Sequence, residues 1–424
     1  MRVAFYQADI TPPPGEEMGG YGYYINRRST GVSDPLRVRV CAFRDSDCRE
    51  AVLIQADLVG LQADHVAEIR SLLSDQCALP PEAFFLHCTH THTGPSSMSF
   101  FGPGTLTEWL RGYLSKAFGD AVRAASQGPW FDVTACRWFE EPCPGIAFNR
   151  DSATAPADPL LRGLCLEFRD ASPVLLASFG CHPVVYGCRS LYSADYPGAF
   201  AQEMAAVGYR TLFLTAPCGD IDPLINRAGW GTGTTRTLED YGQRLRDAAL
   251  RGLASAPART PVDRVLCRSA EVYLEVTPPT PEDCRVALHK AEKALAADPT
   301  DGLARSQRNG RLNWLRMLAA GEGSPLPIEV QGLLVGDVCI AGVGAELFTE
   351  LASAIRGNAG FDHLLLAGTS NGVRCYVSTP DAVRRGAYSA ESACFYGVFP
   401  QSAGAGERFA LESAAFLRDE IRTD

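Results

Sequence analysis

The chain has 424 residues, 46% hydrophobic and 21% charged, which is ample for a folded core and too apolar for a disordered polymer. A formal charge of −10 without any basic run argues against nucleic acid and anionic membrane surfaces as partners. Met1 to Phe5 enters a strand pattern directly, no apolar run is long enough for a transmembrane segment, and fifteen cysteines without a Cys-x-x-Cys pair read as reduced thiols, so the expectation is a cytoplasmic protein.

Val3 to Thr11 reads as a strand that Pro12-Pro13-Pro14 removes from its sheet. Met18 to Tyr24 is rich in glycine and tyrosine. Such a loop allows close backbone approach to a ligand, and a plain surface turn is the alternative. Leu36 to Phe43 alternates as a half-buried strand. Ala51 to Asp57 is more continuously apolar and ends in a carboxylate. Asp64 is placed to cap a helix whose apolar stripe is Val66, Ile69, Leu72 and Leu73. That helix leads to a buried strand, Phe84 to Cys88, which runs into His90-Thr91-His92-Thr93-Gly94-Pro95. Three of the seven histidines fall within six positions. In extended chain His90 and His92 share one face and His87 takes the other. Two imidazoles at a strand's end suit a divalent metal, while a histidine-rich strand end with satisfied hydrogen bonds is the plainer alternative.

Ser96 to Thr107 reads as a pocket wall, followed by a helix from Glu108 to Ala125 and strands at 133–138 and 164–168. Between those strands lies a loop carrying Asn149 and Arg150. Taken alone, Arg150 reads as a solvated loop arginine. Val174 to Pro183 repeats the earlier logic: a buried strand, then His182, then an exit proline. Tyr192 to Gly198, with Asp195, leads into a helix. A third strand end, Leu212 to Pro223, carries Asp220 and Asp222 at i and i+2. After a helix at 236–255 and a strand at 265–276, the segment at about 278–326 changes character. Two charged helical patterns at 281–297 and 302–320 predict an inserted hairpin, a candidate lid or contact between copies in a homo-oligomer. Strands at 328–335 and 338–342 turn at Gly336-Asp337 and lead to Gly344-Ala345-Glu346. A strand at 364–368 and a helix at 406–422 close the chain. No internal repeat, linker or composition break is evident, so one domain is expected over 1–424. The fold class expected is α/β, a large mixed β-sheet core flanked by helices, with its site at strand ends.

Asp9-Ile10-Thr11-Pro12, Met18-Gly19-Gly20-Tyr21-Gly22, the His-Thr-His-Thr-Gly-Pro element and Asn149-Arg150 occur in that order. Gly180-Cys181-His182-Pro183, Gly219-Asp220-Ile221-Asp222-Pro223, Gly344-Ala345-Glu346 and Tyr376-Val377-Ser378-Thr379 follow them. Together, over essentially the whole chain, they resemble the catalytic domain of the neutral/alkaline non-lysosomal ceramidase family. The resemblance implies zinc-dependent hydrolysis of an N-acyl amide by metal-activated water. Its zinc ligands would be His90, His182, Glu346 and Tyr376. His92 would stand just outside the metal shell to orient water or take a proton, and Arg150 would face the substrate carbonyl. Tyr21 and Asp195 are the candidate substrate-binding residues. The chain departs from the family in two ways. Asp222 stands where the family carries a serine described as the nucleophile. The leader and C-terminal β-sandwich domain of family enzymes acting on ceramide are not seen. The expected scheme gives the proton to His92 and Asp222, with Asp220 as a secondary candidate, on a small N-acyl or ester substrate. An esterase or lactonase, and a non-catalytic metal-bound scaffold, are the alternatives.

Overall fold

The computed structural model describes residues 1–21, 26–102, 104–155, 157–323 and 325–422, so Gly22, Tyr23 and Tyr24 of the glycine- and tyrosine-rich loop lie outside the described residues. Strands β1 (Arg2–Asp9), β2 (Arg37–Arg44) and β3 (Glu50–Ala56) form an antiparallel meander. Helix α1 (Ala63–Cys77) crosses over, β4 (Phe84–Cys88) returns parallel to β3, and α2 (Glu108–Gln127) follows. The second sheet repeats this path. Strands β5 (Ala135–Pro142), β6 (Leu160–Glu167) and β7 (Val174–Phe179) meander, α3 (Asp195–Ala206) crosses, β8 (Arg210–Thr215) pairs parallel to β7, and α4 (Thr235–Ser255) closes the unit. The third unit starts with β9 (Val265–Leu274). Helices α5 (Pro281–Ala297) and α6 (Gly302–Ala319) interrupt it before β10 (Leu326–Val335), β11 (Val338–Val343), α7 (Thr349–Asn358), β12 (Leu364–Ala367) and α8 (Ala405–Phe416).

The same succession, three antiparallel strands, a helix, a parallel fourth strand and a second helix, therefore occurs three times. Each sheet has the order fourth, third, second, first, and a short strand at Phe131–Asp132 extends the first sheet beyond β1. This mixed α/β architecture matches the expected class, but the threefold recurrence is a correction to the reading of no internal repeat. It is carried by topology and apolar alternation, which many different residues satisfy equally.

Alternation also explains how the sheets are stacked. Val52, Ile54 and Ala56 of β3 face the core under α1 and α2, whereas Ala51 and Leu53 face a cluster shared by all three sheets. Leu175, Ala177 and Phe179 of β7 face their own helices, and Val174 and Leu176 the shared cluster. In β11 the split is Cys339, Ala341 and Val343 against Val338 and Ile340. Each sheet is thus covered twice, which is why β2 is buried on both faces rather than half-buried. Its inward Arg39 is neutralised by Asp57 at 3.0 Å. Asp64 does not cap α1: the N-cap is Gln62, without a side-chain bond, and Asp64 pairs with Arg111 of α2 at 3.0 Å. The two hairpin helices form where their patterns predict. They pack within the chain, Cys284, Trp314 and Met317 joining the outer core of the third sheet.

The fourth strands meet where the three sheets converge, and His87 stitches them. Its Nε2 accepts from the Thr215 amide at 3.0 Å, and its Nδ1 lies 3.2 Å from Ser370 Oγ. Thr215 in turn donates its hydroxyl to Thr89 O and accepts from the Gly368 amide. Burial pushes the His87 imidazole down to about 3, and burial likewise pushes His65 on α1 down to about 4. Both rings are neutral in the fold, while in the unfolded chain they titrate near 6.5. The folded state binds fewer protons between those values. The stabilisation is therefore complete above pH ~6.5 and is lost as pH falls toward ~3. For metal-free protein, urea midpoints should drop between pH 7 and pH 5, and His87→Gln should remove about one proton from that linkage. An unchanged slope in the variant would show that His87 does not carry it.

Candidate active site

His90, His182 and Glu346 stand just beyond the carboxyl ends of β4, β7 and β11. Beyond β4 the backbone leaves the extended conformation: His90 has φ of 69°. The approach of His90 to His92 therefore comes from a left-handed turn, not from the strand alternation expected. Hydrogen bonds hold the turn on both sides, Thr91 Oγ1 donating to Ser193 O at 2.8 Å and Ser97 Oγ to Gly60 O at 2.6 Å. The buried Arg27 guanidinium donates to His92 O at 2.5 Å and Gly19 O at 3.1 Å, pulling the glycine-rich loop against the histidines. Gly20 has to be glycine there. Its φ is 102°, and a Cβ would stand 2.7 Å from His92 Nδ1.

The imidazoles of His90, His92 and His182 are buried and place one nitrogen each within 4.8 Å of the others. His90 Nε2 is 3.2 Å from His92 Nε2 and 3.3 Å from Glu346 Oε2, and His182 Nε2 is 3.1 Å from the same oxygen. Each of two rings spends its other nitrogen on the backbone: His90 Nδ1 on Val59 O at 2.6 Å, and His182 Nδ1 on Cys218 O at 2.7 Å. That fixes the tautomer, with the proton on Nδ1 and the Nε2 lone pair turned inward. Burial, with Arg150 second, lowers His182 below its ordinary value; burial, with His90 and His182 next, lowers His92 well below it. Ring nitrogens and a carboxylate oxygen are thus turned on one another in a buried space, with Arg150 Nη2 3.4 Å from His182 Nε2. The donor set of imidazole nitrogens plus a carboxylate oxygen is that of a divalent transition-metal centre. The residues present fit a metal.

Arg150 is no solvated loop residue. Its strand-like neighbours 147–149 pair with 221–223, so the loop is anchored beside His182. Nη1 donates to Asp222 Oδ1 at 3.0 Å, and Nη2 to Gly219 O at 2.9 Å and to the Tyr376 hydroxyl at 3.1 Å. Asp222 is thus the counter-ion of Arg150. Asp220 is turned away: Oδ1 accepts from the Thr349 amide and hydroxyl at the start of α7, and Oδ2 from Asn149 Nδ2 at 2.6 Å. Those hydrogen bonds tie Asp220 to Asn149 and α7 rather than to Arg150 or the histidines.

A cleft of about 480 Å³ opens onto this centre, within the usual size for a small-molecule site. Tyr21, His92, Arg150, Asp222 and Tyr376 line it, together with Trp230, Tyr388 and Ser389. Tyr21 lies 4.8 Å from the His92 ring and 5.1 Å from Trp230. Asp195 is brought elsewhere. It starts α3 with φ of 54°, its Oδ1 accepts from the Tyr196 amide and its Oδ2 from Tyr186, and it borders a separate groove with Asp34 and Arg37. Burial pushes its carboxyl up to about 7. Phe100 reaches the histidine centre, whereas Trp109 stacks on Tyr113 along α2. Trp230, Tyr388 and Tyr396 were not anticipated from sequence, because nothing in their local pattern separates a site aromatic from a packing one.

The molecule at this point is defined as a three-sheet α/β protein whose strand ends gather histidines and a carboxylate around a buried centre. Two solved structures share that fold. Neutral ceramidase from Pseudomonas aeruginosa matches with a TM-score of 0.75 at 16% identity, covering 99% of this chain and 74% of its own. A ceramidase complexed with C2 matches with a TM-score of 0.77 at 16% identity, covering 99% and 75%. No family model and no curated protein sequence matches the chain. Among the described residues no helix is long and apolar enough to cross a membrane.

Proposed function

We propose that residues 1–424 act as one zinc-dependent hydrolase unit cleaving an N-acyl amide. The observation that carries this reading is the convergence of His90, His182 and Glu346 with both Nδ1 atoms already committed to carbonyls. His90, His182, Glu346 and Tyr376 would hold the ion. Bound there, it supplies Lewis-acid polarisation of an acyl carbonyl and an acidified water. His92 is the proton carrier. Its Nδ1 has no hydrogen-bond partner among the described residues, so this ring lacks the outer anchor that fixes a metal ligand's tautomer. Arg150, held by Asp222, donates to the oxygen on which negative charge develops as the carbonyl is attacked. The leaving nitrogen takes its proton from His92.

The cleft also bears on the substrate. Tyr21, Trp230, Phe348, Tyr376 and Tyr388 line it with the carboxylates of Asp151 and Asp222, and its one cationic lining side chain among the described residues, Arg150, is already paired with Asp222. That favours acyl amides whose amine half has no carboxylate over N-acyl amino acids. Most of the cysteines are buried as reduced thiols, in keeping with a cytoplasmic setting.

Metal analysis of protein prepared without added metal should find about one zinc per chain, removable by chelator with loss of turnover. Screening should show N-acyl amines hydrolysed faster than N-acyl amino acids, simple esters and lactones. A chain free of divalent metal, or one that prefers lactones, sinks the proposal.

A further inference from the structure

Beyond the four expected ligands and beyond His92 and Phe100, a further side chain reaches the metal centre. The Tyr396 hydroxyl donates a hydrogen bond to Glu346 Oε1, the oxygen opposite the one that faces His90 and His182. Tyr396 sits in a short helical turn, 393–396, distant in sequence from the histidines and from Glu346. Its ring is held edge-on by Phe100, with ring centroids 5.4 Å apart, and Phe100 belongs to the loop that follows the His-Thr-His element. The neighbouring Phe395 O accepts from the Phe101 amide at 2.8 Å.

The inserted hairpin stands directly behind this turn. Gly310 of α6 lies so close that a Cβ there would stand 2.6 Å from Cys394 O. Four residues on, Trp314 Nε1 donates to Val398 O at 2.8 Å. The 393–398 segment is therefore clamped between the loop that follows the histidines and α6.

We propose that Tyr396 is a positioning residue of the metal centre and that α6 is its brace. This rests on the metal reading above. A carboxylate can turn about its last bond and offer either oxygen, or both. With Oε1 committed to Tyr396, Glu346 presents Oε2 alone to the space between the imidazoles. The hairpin thereby gains a role in the site that neither a lid nor a contact between copies would supply.

The test is zinc affinity by competition with a chromophoric chelator, read alongside the thermal midpoint of the metal-free protein. Tyr396→Phe keeps the ring and its contact with Phe100 and removes only the hydroxyl. It should weaken zinc binding about 10- to 100-fold with the metal-free midpoint unchanged. Trp314→Phe, which deletes the hydrogen bond to Val398, should weaken binding in the same direction by less. Glu292→Ala, on the exposed side of α5, should leave it as in the parent. Zinc affinity in Tyr396→Phe within about twofold of the parent, with the parent binding normally, overturns the role of Tyr396 and leaves the metal reading intact. A parent that binds no zinc overturns both. Trp314→Phe matching the parent while Tyr396→Phe is weakened removes the brace and keeps the positioning residue.

Discussion

His90→Ala should lose its metal and all measurable turnover while remaining folded. The ring contributes one of the inward lone pairs, while His182 and Glu346 are already committed and Tyr376 accepts from Arg150. Deleting the ring also frees the Val59 carbonyl at a site 2% exposed, a modest cost that the surrounding core of the first sheet tolerates. Zinc content after dialysis against a weak chelator should fall from about one per chain to near zero, with far-UV circular dichroism of the metal-free proteins superimposable. His92→Ala provides the contrast. Because its Nδ1 has no carbonyl anchor among the described residues, it should retain zinc and lose turnover by about 10²- to 10⁴-fold, the range for a general acid-base group. Equal loss of zinc in both variants would place His92 among the ligands, which its 3.2 Å approach to His90 Nε2 allows geometrically.

The second large effect is expected at the Arg150–Asp222 pair. Arg150→Met should lower kcat by about 10²- to 10³-fold with little change in KM, as for removal of an oxyanion donor. Asp222 was expected as a general base, yet its Oδ1 is held by the guanidinium at 3.0 Å. If its work is to aim Arg150, Asp222→Asn keeps an oxygen acceptor in place and should cost only about tenfold. The double variant should then be no worse than Arg150→Met alone, since the two substitutions remove one interaction. A base at Asp222 predicts otherwise: a loss of about 10²- to 10⁴-fold in Asp222→Asn, multiplying with that of Arg150→Met in the double variant. Steady-state kinetics of the four proteins on one substrate separates the two roles.

Much of this site was legible one strand at a time. Continuous apolar runs closed by Gly94-Pro95, Pro183 or Pro217 mark strands that must leave the sheet, and His90, His182 and Asp222 stand at those exits. Period-two alternation placed His87 opposite the paired histidines, and it does face the junction of the three sheets. The helical hairpin was equally plain, because its charged 3.6-residue pattern contrasts with everything around it.

Convergence was not legible. Asp57 follows the third strand of the first unit as Gly180-Cys181-His182 follows that of the second and Gly344-Ala345-Glu346 that of the third. In sequence all three are polar residues at the end of a buried strand. In the fold, His182 and Glu346 meet over the cleft, while Asp57 is turned onto Arg39 and Gln55 and takes no part. Arg150 gave no local sign of its place, and Asp195 looked more available than it is.

The residues along each strand therefore determine which positions are buried, where each strand stops and which side chain stands at the exit, because those follow from alternation and from backbone groups that neighbours in the chain must satisfy. Which exits face one another depends on how three sheets stack through apolar faces. That attraction is non-directional and indifferent to which apolar residue supplies it. The threefold recurrence, the metal-ready centre and the brace behind Tyr396 arise at that level, from contacts between segments as far apart as His90 and Glu346.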